Sequence, residues 1–106
     1  MYSGGVAKPK ALPEYIAWLH TRPCLVARNA FSPCGGSITA HHVRPMGCPR
    51  NDRLAVPLCQ HHHQWEYGPD AVHRLGRRGF AERFGIRFED EIARLNAAWR
   101  SEKQAG

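Results

Sequence analysis

Apolar side chains recur along this chain in two patterns, and each predicts an element. From residue 88, Phe88, Ile92, Leu95 and Trp99 follow at i, i+4, i+7 and i+11. That spacing lays one apolar stripe along an amphipathic helix. Glu89, Asp90 and Glu91 stand at its start and Arg100 and Lys103 at its end, the charge order a helix dipole favours. Residues 14–20 place Tyr15, Ile16, Trp18 and Leu19 in a second, short helix, which Pro23 ends. Residues 37–43, Ser-Ile-Thr-Ala-His-His-Val, are β-branched and predict a strand. Residues 53–58 predict another, at a sheet edge because Pro57 lacks a donor.

Punctuation residues divide the rest. Gly35-Gly36 marks a turn, and residues 44–52, with two prolines and a glycine, a loop. Residues 59–67 form a short helix stopped by Gly68-Pro69. Asp70 is placed to cap the next helical turn, through Leu75. Gly76 breaks that turn. Residues 77–84 resume as a helix closed by Gly85. Residues 1–13, with two glycines, two prolines, Lys8 and Lys10, read as a flexible basic arm. The chain's 106 residues amount to one domain. The expected organisation is an α+β domain over residues 14–106, with a ββα core near 37–67 and helices over 70–103.

Composition narrows the function classes. At 42% hydrophobic residues the chain is not a disordered tail. No apolar run approaches the roughly 20 residues that cross a bilayer. The first thirteen residues carry no apolar segment of a secretory signal. A soluble, cytoplasmic protein with no membrane partner is expected. The formal charge is +6, and twelve of the fifteen basic residues are arginine, whose planar fork grips phosphate. This raises the case for nucleic acid as partner, and on charge alone a merely basic surface stands level with it.

The four cysteines, Cys24, Cys34, Cys48 and Cys59, are interspersed with histidines. In a reducing compartment metal ligation accounts for them better than disulfides. The densest run is Cys59-Gln60-His61-His62-His63. On a helix starting at Cys59, His62 at i+3 and His63 at i+4 share its face. Cys-x2-His of this kind is half of a zinc site.

A strand carrying Ala40-His41-His42-Val43, then Asn51-Asp52, then Val56-Pro57-Leu58-Cys59-Gln60-His61-His62-His63 resembles the HNH endonuclease superfamily. Residues 72–80, Val-His-Arg-Leu-Gly-Arg-Arg-Gly-Phe, are also similar to small phage-type HNH proteins related to the RecA-dependent Ref nuclease. The resemblance covers roughly residues 22–86. It implies a small zinc-stabilised ββα-metal fold with an added C-terminal amphipathic helix. It implies a metal-dependent DNA endonuclease, with partners among phage or recombination proteins. His42 would be the general base, while His41 and His63 would hold one catalytic Mg2+ or Mn2+. Two departures stand out. One helical turn past His63, where relatives often carry another metal-binding His, stands Tyr67, so either His73 or a water takes that ligand position. Asn51 and Asp52 lie slightly upstream of the usual Asn, with Asp52 favoured as the brace of the base and Asn51 behind it.

A separate structural zinc is expected on Cys24, Cys34, Cys59 and His62. Cys48 competes with Cys34, since nine residues between Cys24 and Cys34 is a long knuckle, and His61 competes with His62. Arg44, Arg74, Arg77 and Arg78 are the expected phosphate contacts, with Arg83 and Arg87 nearby. On a regular strand His41 and His42 point to opposite faces, so both serve one site only if the strand ends there. Two other functions remain open: a zinc-stabilised nucleic-acid-binding module without catalysis, and a protein-interaction domain using the terminal helix. Oligomeric state and cleavage preference are not legible.

Overall fold

The structure, a computed structural model, describes residues 10–28, 31–44, 48–64 and 69–105. Within them lie a two-stranded antiparallel sheet and four helices. In chain order these are α1 (Pro13–Leu19), β1 (Ile38–His42), a 3-10 turn (Asp52–Leu54), β2 (Ala55–Cys59), α2 (Gln60–His63), α3 (Val72–Phe84) and α4 (Phe88–Ala105). Among the described residues no helix is long and apolar enough to cross a membrane.

The hairpin organises everything else. Its register pairs Ile38 with Cys59, Ala40 with Pro57 and His42 with Ala55. Gln60 N–H bonds the Ser37 carbonyl and Val43 N–H the Leu54 carbonyl. That phase puts Pro57 opposite Ala40 at a pair with no bridging hydrogen bonds, so its missing donor costs the ladder nothing. The Pro57 carbonyl faces outward and accepts Leu25 N–H at 2.9 Å. The expected edge is thereby covered by the segment after Cys24. All five β2 residues are buried. The expected strand over 53–58 starts later, because Arg53 and Leu54 belong to the 3-10 turn.

Pro13 opens α1, where its fixed φ suits a helix start. Tyr15 and Leu19 are fully buried. Residues 10–12, expected to be part of a flexible arm, are docked instead: Lys10 N–H bonds Arg50 O and Asp52 N–H bonds Lys10 O, both at 3.0 Å. Residues 1–9 lie outside the described residues. The α4 stripe is as expected, with Phe88 and Leu95 buried and Ile92 and Trp99 packed against the core. Tyr15 meets Trp99 edge-on and stacks on Trp18, and Trp18 Nε1–H donates to Glu102 at 2.9 Å. These contacts fasten α1 to α4.

Helix α3 is two helical pieces joined at Gly76, whose φ of 79° and ψ of 164° only glycine adopts readily. Gly85, left-handed at φ 65°, ends it, so both glycine breaks fall where the sequence placed them. Asp70 does not cap it. The N-cap position is Ala71, without a side-chain bond, and the Asp70 carboxylate is drawn to Arg83 at 3.1 Å.

Candidate metal centres

Two clusters of metal-ligating side chains meet at α2, a single helical turn. The first gathers Cys24, Cys34, Cys59 and His62, with one ligand atom from each lying within 4.8 Å of the others. His62 Nδ1 lies 3.2 Å from Cys59 Sγ, 3.6 Å from Cys24 Sγ and 3.8 Å from Cys34 Sγ. A tetrahedral zinc with ordinary Zn–S and Zn–N bonds separates N from S by about 3.6 Å. The four residues can therefore hold a metal such as zinc with little rearrangement. Cys34 and Cys48 are both exposed, but Cys34 belongs to the cluster and Cys48 lies outside it. His61 is also outside it. Its N–H bonds Gly35 O at 3.1 Å while the ring edges onto His62.

The chain fits this site locally. Cys34 precedes the Gly-Gly turn, and the carbonyls of Gly35 and Ser37 receive the first N–H groups of α2. Gly36 has φ 81°, and a Cβ there would collide with the Gln60 side chain, so the turn closes against α2 only with glycine. Burial and the neighbouring Cys24 push the Cys34 thiol up to about 12, and burial also raises Cys24. Without a cation these sulfurs stay protonated, so metal binding must expel protons.

An outer layer that the sequence did not disclose supports His62. Ser32 Oγ lies 2.9 Å from His62 Nε2, the nitrogen facing away from the thiols. With Nδ1 free for metal, Nε2–H donates to Ser32. The Asp70 carboxylate lies close enough to feel both the Ser32 hydroxyl and the charge of His62. Burial works to raise the Asp70 carboxyl, but Ser32 and Arg83 outweigh it and hold it below its ordinary value. Arg83 also lies over the Phe31 ring, 4.4 Å from its centroid. Such relays orient a ligating histidine and raise its affinity.

The second cluster gathers His41, His63 and His73 within the same 4.8 Å limit. Their rings meet edge to face, with centroids 4.6 Å apart for His63 and His73 and 5.1 Å for His41 and His63. His41 comes from β1, His63 from α2 and His73 from the start of α3. Among the described residues no fourth ligating group joins them, and His73 is exposed. Burial, with the neighbouring histidines, brings both His41 and His63 down to about 4. Both are neutral imidazoles at neutral pH, the form that ligates a metal. Thr39 Oγ1 lies 2.6 Å from His63 Nδ1.

His42 is not in this cluster. β1 is regular as far as His42, so alternation separates it from His41. His41 faces His63, His73 and Phe88. His42 Nε2 instead donates to Asp52 Oδ1 at 2.8 Å. Asp52 Oδ2 accepts Leu12 N–H at 2.7 Å. Burial works to raise the Asp52 carboxyl, but Leu12, His42 and Arg50 together hold it low. Asp52 thus braces His42. Asn51 does not reach the histidine; its side chain accepts Arg53 N–H and caps the 3-10 turn. His42 still stands near enough for its charge to lower His41 and His63.

Three of the four expected phosphate contacts, Arg74, Arg77 and Arg78, lie on α3, and Arg44 follows β1. Arg44, Arg74, Arg77 and Arg78 are exposed. Arg44 donates to Cys48 O at 3.2 Å, and Arg78 stands 3.7 Å from Glu82. Arg83 and Arg87 are tied to acids, Arg83 to Asp70 and Arg87 to Glu89 and Asp90. Helix α2 ends at His63, with Gln64 extended, short of the helix expected through residue 67. Tyr67, the departure noted after His63, lies outside the described residues. Comparison with family models, curated proteins and solved structures finds no match to this chain.

Proposed function

We propose that this protein is a zinc-stabilised, metal-dependent endonuclease of the HNH type that hydrolyses DNA phosphodiester bonds. The observation carrying this reading is the convergence of His41, His63 and His73, three imidazoles with no fourth described ligand, beside the His42–Asp52 pair. Zinc on Cys24, Cys34, Cys59 and His62 is the structural metal, a closed Cys3His set. A second divalent cation on the three histidines supplies Lewis-acid stabilisation of the scissile phosphate. Nitrogen donors suit Mn2+ and its transition-metal neighbours better than Mg2+, which prefers oxygen.

The chain's own residues do the rest. Asp52 accepts a hydrogen bond from Nε2–H of His42, which leaves Nδ1 with the lone pair. Nδ1 takes a proton from the attacking water. Water adds to phosphorus and the 3′ oxygen leaves, taking up a proton from solvent, to give a 5′ phosphate and a 3′ hydroxyl. The net charge of +6 favours duplex binding through the backbone, with steep salt dependence. Exposed Arg74 and Arg77 supply the phosphate contacts.

Plasmid nicking with Mg2+ or Mn2+ tests this. His42→Ala is expected to keep fold, zinc and DNA affinity while losing on the order of 10²–10⁴ in rate. A wild type that binds DNA and zinc but nicks nothing with Mg2+, Mn2+ or Ni2+ overturns it. One observation favours a second reading, a nucleic-acid-binding module without catalysis. His41 and His42 diverge on a regular strand, so base and cation reach one phosphate only if β1 twists at its end. That outcome of the nicking assay would establish the module.

A further inference from the structure

Thr39 stands two residues before His41, on the same face of β1, and its hydroxyl touches two groups at once. Oγ1 lies 2.7 Å from the Leu58 carbonyl oxygen and 2.6 Å from His63 Nδ1. A threonine hydroxyl has one proton. A carbonyl can only accept, so that proton points to Leu58; otherwise two oxygens would face each other at 2.7 Å with no hydrogen between them. The contact to His63 must then run the other way, with Nδ1–H donating to Oγ1.

From this we infer that Thr39 is a positioning residue that fixes His63 as the Nδ1–H tautomer and aims its Nε2 lone pair at the three-histidine centre. The inference rests on the reading of His41, His63 and His73 as a metal centre. Free imidazole rotates about two side-chain bonds and exchanges its proton between nitrogens. A single outer hydrogen bond removes both freedoms. The Leu58 carbonyl belongs to the residue before Cys59, a ligand of the other cluster. Thr39 is therefore held by β2 just before the turn that presents His62 and His63 to their separate centres.

Three variants and two readouts test the assignment. Nitrogen-15 NMR of the zinc-loaded protein, with no further metal, reads the His63 tautomer. Wild type and Thr39→Ser should show Nδ1–H; Thr39→Val, of equal shape without the hydroxyl, should show loss of that preference. Titration with Ni2+ should then find Thr39→Val roughly 10–100-fold weaker than wild type, Thr39→Ser close to wild type, and His63→Ala without specific uptake. Zinc content should be equal in all four proteins, which separates a local effect from misfolding. An Nε2–H tautomer in wild type overturns the inference, and so does unchanged Ni2+ affinity in Thr39→Val. Wild type with the Nδ1–H tautomer but no Ni2+ uptake overturns the metal-centre reading, and the positioning role falls with it.

Discussion

His62 and His63 are joined by one peptide bond, yet they serve clusters of opposite character. His62 is fully buried, its ring within reach of three cysteine sulfurs. His63 is half-buried beside two other imidazoles, one of them exposed, with no fourth described partner. The first offers four candidate ligands, the number a structural zinc takes, and the second three, the number that under the proposed function would leave room for water and substrate. Each histidine has its own hydroxyl support, Ser32 for His62 and Thr39 for His63. A helical turn of four residues can do this because consecutive side chains leave it about 100° apart. Two adjacent residues thereby enter two separate candidate metal clusters.

The largest expected effect comes from breaking the closed side. Cys59 ends β2, precedes α2 and is buried. Cys59→Ser should release the zinc and unfold or aggregate the protein, because a metal staple decides folding in a domain this small. His63→Ala, four residues away, should keep zinc and fold. Metal content and circular dichroism of the two variants measure the contrast. Equal losses would show that the clusters are not separable. Cys48→Ser should change neither quantity, and loss of zinc in that variant would overturn the ligand set.

The closed side has a milder handle in Asp70. Its carboxylate acts on His62 by its charge and stands close to Ser32, the hydroxyl that contacts His62 Nε2. Asp70→Asn keeps the shape but weakens the relay, and zinc affinity should fall on the order of 10–100-fold. Competition with a chromogenic chelator measures this. Unchanged affinity would mean that Asp70 serves only Arg83. Ni2+ uptake by the open side should stay as in wild type.

How much of this comparison was legible beforehand follows from what each residue type signals alone. Cysteine and histidine announce themselves, so all seven members of the two clusters were nominated, and so was the pairing of Asp52 with His42. The choices between Cys34 and Cys48, and between His61 and His62, were not legible. They depend on the Gly35-Gly36 turn closing against Gln60, which is a long-range fit. Ser32, Thr39 and the role of Asp70 were missed because serine, threonine and aspartate are ordinary loop and strand residues until a partner is in place. Thr39 had one visible cue, its i−2 spacing from His41. Asp70 just ahead of α3 reads as a helix cap by sequence rules, and the pull of Arg83 and Ser32 overrode that local preference. The docking of residues 10–12 also needed a remote partner, the Arg50–Asp52 backbone.

The smallest expected effect is on stability in mild acid, and it probes the open side. Burial holds His41 and His63 at about 4 in the folded protein, whereas an unfolded histidine titrates near 6.5. Between those values the unfolded chain binds protons that the folded chain refuses. Stability therefore rises with pH across this window and is lost as pH falls from about 6.5 toward 4. Asp52 and Asp70 act lower down. Both are held below the ordinary carboxylate value, so their contribution is intact above the unfolded carboxylate pKa, near 4, and fades only as pH falls through their folded values. Urea midpoints of the zinc-loaded protein at pH 7 and pH 5 should differ in that direction, and most of the difference should vanish in the double variant His41→Asn, His63→Asn. Zinc loss is the rival cause, since protons also compete for Cys34 and Cys24. Metal content measured at each pH separates the two. A midpoint that falls while zinc stays bound assigns the acid response to the three-histidine side, and a fall that tracks zinc release assigns it to the thiolate side.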